Sequence, residues 1–365
     1  MNYILFDPPE IEQFYPFTLT RPLGEMRVFG GTIKELWEKH LGSKVSYLTR
    51  SHLSNLYPTN WCENNILINS THIPHFTHLE VSGHPRPEFL YSELRFPHVR
   101  SLDSLSLAEV HTSFLKEESK FRAMEPDLVT LSDFFNCMLD FTPFQKSNID
   151  CSSNHFLNDD DGPIIIEEDV TIMEGAMIRG PVHICKGSVI KMGAKIYGPT
   201  VIGPYCKIGG EVSSCIFLGY SNKAHEGFLG HSIIGEWCNI GAGTSNSNLK
   251  NDYNSVKIWD YIRKEFKDSE QQFLGLYMGD HSKCAINTSF NTGTTVGVNC
   301  NIFGPGFPRN YIPSFSWGGS QGIQLYDFQK AIIVAEKVMK RRGVELTKDY
   351  VTMLNSVYDI ISQRK

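Results

Sequence analysis

His225, in the run Lys223-Ala-His225-Glu-Gly-Phe228, is the side chain of this sequence best suited to moving a proton near neutral pH. It stands where a six-residue isoleucine repeat breaks, not on one of the inward positions of that repeat, so a core role does not explain it. Shortly downstream, Ile240-Gly-Ala-Gly-Thr244 places Ala242 and Gly243 where glycine-flanked backbone N–H groups suit a carbonyl oxygen gaining negative charge. A nucleophile, a base and such donors are what acyl transfer needs. Two other histidine features read more weakly. His72, His75 and His78, with His84, have metal-ligand spacing, but Pro74 among them argues for a loop, and no metal site is expected. Asp280-His281 closes a corner of the repeat or lines a channel beside it.

These residues must be held by the elements around them. Isoleucine recurs at Ile166, Ile172, Ile178, Ile184, Ile190, Ile196, Ile202 and Ile208. Neither a helix nor a plain strand selects every sixth position. A triangular solenoid does, with each sixth residue pointing at the axis and glycine or proline turning the corners, as at Gly180, Gly187, Gly198-Pro199 and Gly203-Pro204. The pattern predicts a left-handed parallel β-helix. The phase breaks after Ile208, returns at Ile234 and Ile240, breaks again over 249–277, and resumes at Met278, Cys284, Phe290, Val296 and Ile302. Insertions in a solenoid gather on one face, often the binding face. Two amphipathic helices follow, around Leu325–Met339 and Tyr350–Ile361, expected to cover the open end of the solenoid. Ahead of it, Tyr3–Phe6, Val45–Leu48 and Ile66–Ile68 alternate with a helical segment, Thr32–His40, which predicts an α/β domain on a parallel sheet. The expected order is an α/β domain over 1–142, a linker over 143–163, a β-helix over 164–310 with the 249–277 insertion, and a helical segment over 311–365.

Composition narrows the class. A net charge of −6 over 365 residues gives no reason to expect nucleic acid or an anionic membrane as partner. No apolar run is long enough to span a bilayer, the first residues lack a leader, and nine cysteines without a Cys-x-x-Cys fit no disulfide framework. The expectation is a cytoplasmic protein.

Pro16-Phe-Thr-Leu-Thr-Arg-Pro22, followed by Val28-Phe-Gly-Gly31 and a helix, resembles the start of the sugar-phosphate nucleotidyltransferases. Such a domain followed by a β-helix resembles the bifunctional UDP-N-acetylglucosamine diphosphorylase / glucosamine-1-phosphate N-acetyltransferase family, in what looks like a divergent bacterial branch. The likeness is strongest from Lys223 to Asn248, through Ile234-Gly-Glu-Trp-Cys-Asn239-Ile-Gly-Ala-Gly-Thr244. It implies a Rossmann-like nucleotidyltransferase domain and a hexapeptide-type acyltransferase with acetyl-CoA as donor and an amino-sugar phosphate or sugar nucleotide as acceptor. It further implies His225 as catalytic base and Glu211 as the carboxylate orienting it. Asn239 and Asn248 would contact the sugar, and Lys195 with Lys223 its phosphate. Ala242 and Gly243 would meet the thioester, and Lys250 and Lys257 the phosphates of coenzyme A. The family packs its solenoids three-fold, so a homotrimer is expected.

The departures are as informative. Two phosphate-clamping positions of the family are occupied here by Ser213 and Phe228, and phenylalanine cannot donate to phosphate. The glycine-rich phosphate loop is replaced by Asp7-Pro-Pro-Glu-Ile-Glu-Gln-Phe14, and Asn69-Ser-Thr71 stands where a metal-binding aspartate belongs. Arg21 and Arg27 remain as phosphate contacts, and Mg²⁺ would be needed only if this domain turns over. The expected nucleotidyl site is degenerate. The alternative reading is a trimeric, non-catalytic scaffold or sensor that binds a sugar nucleotide.

Overall fold

The computed structural model describes residues 2–62, 64–74, 91–95 and 156–362, with scattered positions between 107 and 149. Strand β1 (Asn2–Phe6) is central to the first sheet, parallel to β2 (Val45–Leu48) and to β3 (Asn64–Asn69). An antiparallel strand, β4 (Tyr91–Arg95), closes the edge beyond β3. Helix α1 (Ile33–Leu41) starts on Thr32, whose Oγ1 accepts from Glu35 N at 3.1 Å while Glu35 returns a bond to Thr32 N at 2.7 Å. That reciprocal cap fixes the start of the helix. Gly42, at φ 60°, ends it in the left-handed conformation glycine tolerates.

From Leu157 to Gly319 the chain winds as a parallel β-solenoid. Two long sheets, one of eleven strands and one of nine, run along it, each coil adding one strand to its neighbour. Ile178, Ile184, Ile190, Ile196, Ile202 and Ile208 are no more than 1 % exposed and stack in register, Ile178 on Ile196, Ile184 on Ile202 and Ile190 on Ile208. Each buried side chain of this kind contributes about 1.5–3 kcal/mol. Stacking begins at Leu157, inside the segment expected to be linker, because Leu157 pairs with Ile178. It also continues beyond 310, through Tyr311–Ile312 and Ser316–Gly319.

The two phase breaks have separate causes. After Ile208, strands Glu211–Gly219 and Phe228–Glu236 pair with each other on both sides of a tight corner made by Ser214 and His231, at φ 53° and 49°. The coil is shorter there, so Ile202 meets Phe217 and Ile208 meets Lys223. The second break is an insertion, as expected. It holds an antiparallel hairpin, Lys257–Asp260 with Glu265–Asp268, and returns to the solenoid at Leu276–Met278.

Solenoid and α/β domain share a core. Val201, Ile216, Leu218, Ile233 and Tyr277, outward-facing on the eleven-stranded sheet, are buried with Phe17, Leu23 and Leu5 of the first domain and with Val256 and Ile258 of the insertion. One flat of the solenoid is therefore covered by its own chain. Helices α2 (Phe328–Lys340) and α3 (Lys348–Ser362) do not sit over the open end. Met353, Leu354 and Val357 pack on the corner residues Val298 and Phe315 and on Tyr15, Leu19 and Leu53 of the first domain. The last coil is met instead by an antiparallel strand, Gly322–Leu325. Among the described residues, no helix is long and apolar enough to cross a membrane.

The join is pinned by charge. Asp280 has no exposed surface and accepts from Arg21 Nη2, from Thr20 Oγ1 at 2.7 Å and from Glu236 N at 2.8 Å. Arg21 Nη1 also lies 3.1 Å from Glu236. Arg21→Met should leave Asp280 charged and unpaired, costing about 3–5 kcal/mol in urea unfolding, with much of that recovered in the double variant Arg21→Met/Asp280→Asn. A loss near zero in the single variant would remove the pair from any structural role.

Candidate active site

The shortened coil sets the geometry of the predicted site. Lys223 occupies an inward column, between Ile208 and Ile240, and is 2 % exposed. Its Nζ donates to Gly209 O at 3.0 Å and to His225 O at 2.6 Å. Burial lowers its amine from 10.5 to about 8. Lys223 thus faces the axis, away from any ligand, and ties down the turn that carries His225. His225 is exposed at that corner. The next coil stacks directly on it, with Gly243 N donating to Glu226 O at 2.9 Å. Gly227, at φ 122°, permits this: a Cβ there would come within 2.0 Å of Thr244 O. Gly243 N–H is committed to the coil below, whereas Ala242 N–H makes no hydrogen bond among the described residues.

Glu211 lies one coil below the same corner, its N–H on Gly227 O at 3.2 Å, in register with exposed Lys195. Its carboxylate accepts from Tyr197 Oη at 2.6 Å and not from the ring of His225. Glu211, Lys195, His225 and Ala242 therefore share one corner. The two asparagines lie elsewhere. Asn239 is exposed on the nine-stranded sheet, where its Oδ1 accepts from Asn222 Nδ2 at 3.4 Å. Asn248 is held at the other flat by His231, with Nδ2 2.9 Å from His231 Nδ1.

His231 was not singled out by sequence reasoning, although a histidine in the apolar run Phe228–Ile234 is a signal in itself. It stacks on Phe273, ring centroids 5.0 Å apart, and burial lowers it to about 4, so it is neutral at pH 7. Lys250 and Lys257 lie together: with Phe266, Thr292 and Asn310 they line a cavity of about 240 Å³ between the insertion and the solenoid. Lys250 also pairs with Asp252 at 3.3 Å.

The first domain tells a different story. The guanidinium of Arg21, expected on phosphate, holds Asp280 and Glu236. Arg27 points to Cys185 Sγ at 3.6 Å and Glu35 at 3.7 Å. Asp7, in place of the phosphate loop, accepts from Leu23 N at 2.9 Å and Thr49 Oγ1 at 2.5 Å. Asn69 Oδ1 accepts from Thr71 N at 3.1 Å, closing a turn. Asp7 does not fit a divalent cation, because its carboxylate is already held by backbone and hydroxyl donors and lies 3.7 Å from Arg50 Nε. His75, His78 and His84 lie outside the described residues; His72 O accepts from Trp37 Nε1 at 2.9 Å.

One further group has metal-like proximity: the ligand atoms of Glu167, His183 and Cys185 lie within 4.8 Å of one another. The hydrogen bonds exclude that use. Gly30 N–H donates to His183 Nδ1 at 3.2 Å, so the ring proton sits on Nε2 and is given to Glu167 at 2.8 Å. This is a second polar tie between the domains.

A family model described as a sugar nucleotidyl transferase matches residues 3–84. The bifunctional sugar-1-phosphate nucleotidylyltransferase/acetyltransferase of Sulfurisphaera tokodaii is 35 % identical over 144 residues, covering 39 % of this chain and 35 % of that protein. The bifunctional protein GlmU of Methanococcus aeolicus is 33 % identical over 179 residues, 48 % of this chain and 39 % of that protein. For the GlmU of Methanocaldococcus jannaschii the figures are 39 % over 92 residues, 25 % and 22 %. The chain thus spans well under half the length of these curated relatives. They are archaeal, and the bacterial placement expected from the sequence finds no support among them. The crystal structure of the polySia-specific acetyltransferase NeuO aligns with 50 % of this chain and 81 % of its own at 14 % identity and a TM-score of 0.25. The chain combines a nucleotidyltransferase-like domain with a β-solenoid, and its relatives carry the names of transferases.

Glu167 makes the domain contact sensitive to acid. The bond from His183, against the opposing effect of burial, lowers its carboxyl from 4.5 to about 2. A carboxylate lowered in the fold stabilises it above the unfolded value and loses that contribution as pH falls towards the folded one. Glu167→Gln should therefore melt below wild type at pH 7, with the gap closing between pH 4.5 and about 2. A gap constant across that range would show that the carboxylate charge is not what stabilises the contact.

Proposed function

We propose that this protein is a transferase of sugar-nucleotide metabolism, its solenoid moving an acyl group from acetyl-CoA to an amino-sugar phosphate or sugar nucleotide. The observation that carries the reading is the stacked corner: an exposed histidine, a carboxylate and an open backbone amide at one break in the solenoid. His225 takes the proton of the attacking amine as its nitrogen bonds to the acyl carbon. The carbonyl oxygen gains charge against Ala242 N–H, and the carbon–sulfur bond breaks as the thiolate takes the proton back from His225. Lys223 positions the histidine turn by holding its carbonyl. Coenzyme A supplies the activated thioester, and Lys250 and Lys257 suit its phosphates.

Asn239 and Asn248 face apart in one chain. Both reach one acceptor only if a second copy brings its own flat to the corner, which supports a homotrimer built on the flats left open by the first domain. Met192 and Ile286, 66 % and 68 % exposed, stand on the uncovered surface. A particle of monomer mass in solution would count against that assembly.

The first domain reads as a docking module that retains the nucleotidyltransferase fold but not its chemistry. With Asp7 buried where a phosphate loop belongs and Arg21 committed to Asp280, we expect no steady pyrophosphate release from UTP or dTTP with a sugar-1-phosphate. Sustained turnover would restore the activity named in its relatives. A non-catalytic scaffold is less well supported, because those relatives are named for both activities. His225→Ala should lower acyl transfer by about 10²–10⁴-fold with the melting temperature unchanged, since its ring is exposed and no inward residue is altered. Turnover equal to wild type in this variant would end the assignment.

A further inference from the structure

On the outer face of the nine-stranded sheet, Lys207, Asn222 and Asn239 occupy successive rungs. The turn after α2 lays Arg342 over the middle one, its Nη2 donating to Asn222 Oδ1 at 2.7 Å. Arg341 is beside it in sequence. Lys191 rises from the coil below, its Cβ lying 3.1 Å from the space a side chain at Gly209 would fill. Arg342 thus sits on Asn222 with Lys207 one rung below, and Arg341 and Lys191 are near enough for their charge to act on Lys207.

Among the described residues none of Lys191, Lys207, Arg341 and Arg342 lies within 4.0 Å of a carboxylate oxygen. Glu236, whose charge is felt by Tyr220 and Cys206 nearby, is committed to Arg21. The cations act on one another instead: Lys207 is lowered first by Arg342, then by burial, Arg341 and Lys191. Burial, then Arg341, lowers Arg342 as well. Scattered solvated lysines do not interact in this way, and a protein that holds like charges together forgoes stability for it. Arg342 is also pre-oriented. Asn222 fixes one Nη, and the guanidinium stands near Tyr220 in a stacked ladder: Tyr205 on Tyr220 with centroids 5.1 Å apart, and Tyr220 on Trp237 at 4.2 Å. Tyr205 keeps 37 % of its surface exposed at the rim.

We propose that this cluster is an anion site for the phosphate group of a small organic phosphate, separate from the corner of Lys195, Glu211 and His225. A guanidinium held at one nitrogen presents the rest of its fork, which matches the spacing of phosphate oxygens. Lys207 and Arg341 supply further charge, and the rim of Tyr205 offers a flat surface to a sugar or base attached to the phosphate. The C-terminal segment thereby contributes directly to ligand binding, and does more than cover a corner.

Titration calorimetry of the full chain with inorganic phosphate, a sugar-1-phosphate and UDP tests this. Wild type should bind all three saturably. Lys207→Gln, which breaks no hydrogen bond, and Arg342→Gln should each weaken binding at least about tenfold, the loss expected for one charge-assisted contact. Lys330→Gln, exposed at the far end of α2, should not. UDP above the sugar phosphate would identify a nucleotide, and parity a phosphate monoester. The proposal is overturned if wild type does not bind phosphate, or if Lys207→Gln binds as wild type does. A His225→Ala protein without acyl transfer should still bind phosphate, so failure of the catalytic reading and failure of this site are told apart.

Discussion

Each inward side chain of a solenoid must rest on its equivalent in the next coil, and this chain is organised by that demand. Where isoleucine meets isoleucine the coils are regular and close-packed. Where the coil shortens, the column has to accept Phe217 and Lys223 instead. A buried lysine is costly unless its ammonium finds acceptors, and Lys223 finds them in two backbone carbonyls, one belonging to His225. The irregularity in packing and the position of the proposed base therefore have one origin. The nine-residue strands that cause it also turn His231 toward Asn248, and the turn at Gly227 brings Ala242 above the same corner.

In the first domain, residues that the likeness assigned to phosphate hold the chain together. In Phe17-Thr-Leu-Thr-Arg21, Phe17 packs on Tyr277 while Thr20 and Arg21 engage Asp280, so the segment that resembles a phosphate-handling motif is the contact with the solenoid. Asp7 shows the same shift, since a carboxylate at the end of β1 caps Leu23 N where glycine amides would cradle an anion. Charge is satisfied within the chain at this end of the molecule and left unsatisfied around Arg342. The contrast follows burial: an unpaired charge is intolerable inside the interface and inexpensive at a half-open surface.

The period of six, the glycine corners, the capped helix after Thr32 and the three parallel strands were all legible in the amino-acid order, because each depends on residues close in sequence or on a strict repeat. So was the irregular coil around His225, marked by a lapse in that repeat. The partners were not legible. Glu211 goes to Tyr197, Asn248 to His231, Arg21 to Asp280 and Arg342 to Asn222, pairings that join separate coils or opposite ends of the chain. Residue type alone leaves an arginine equally ready for phosphate or carboxylate. What decides is which oxygen the folded chain brings within reach, and how much water it leaves between them.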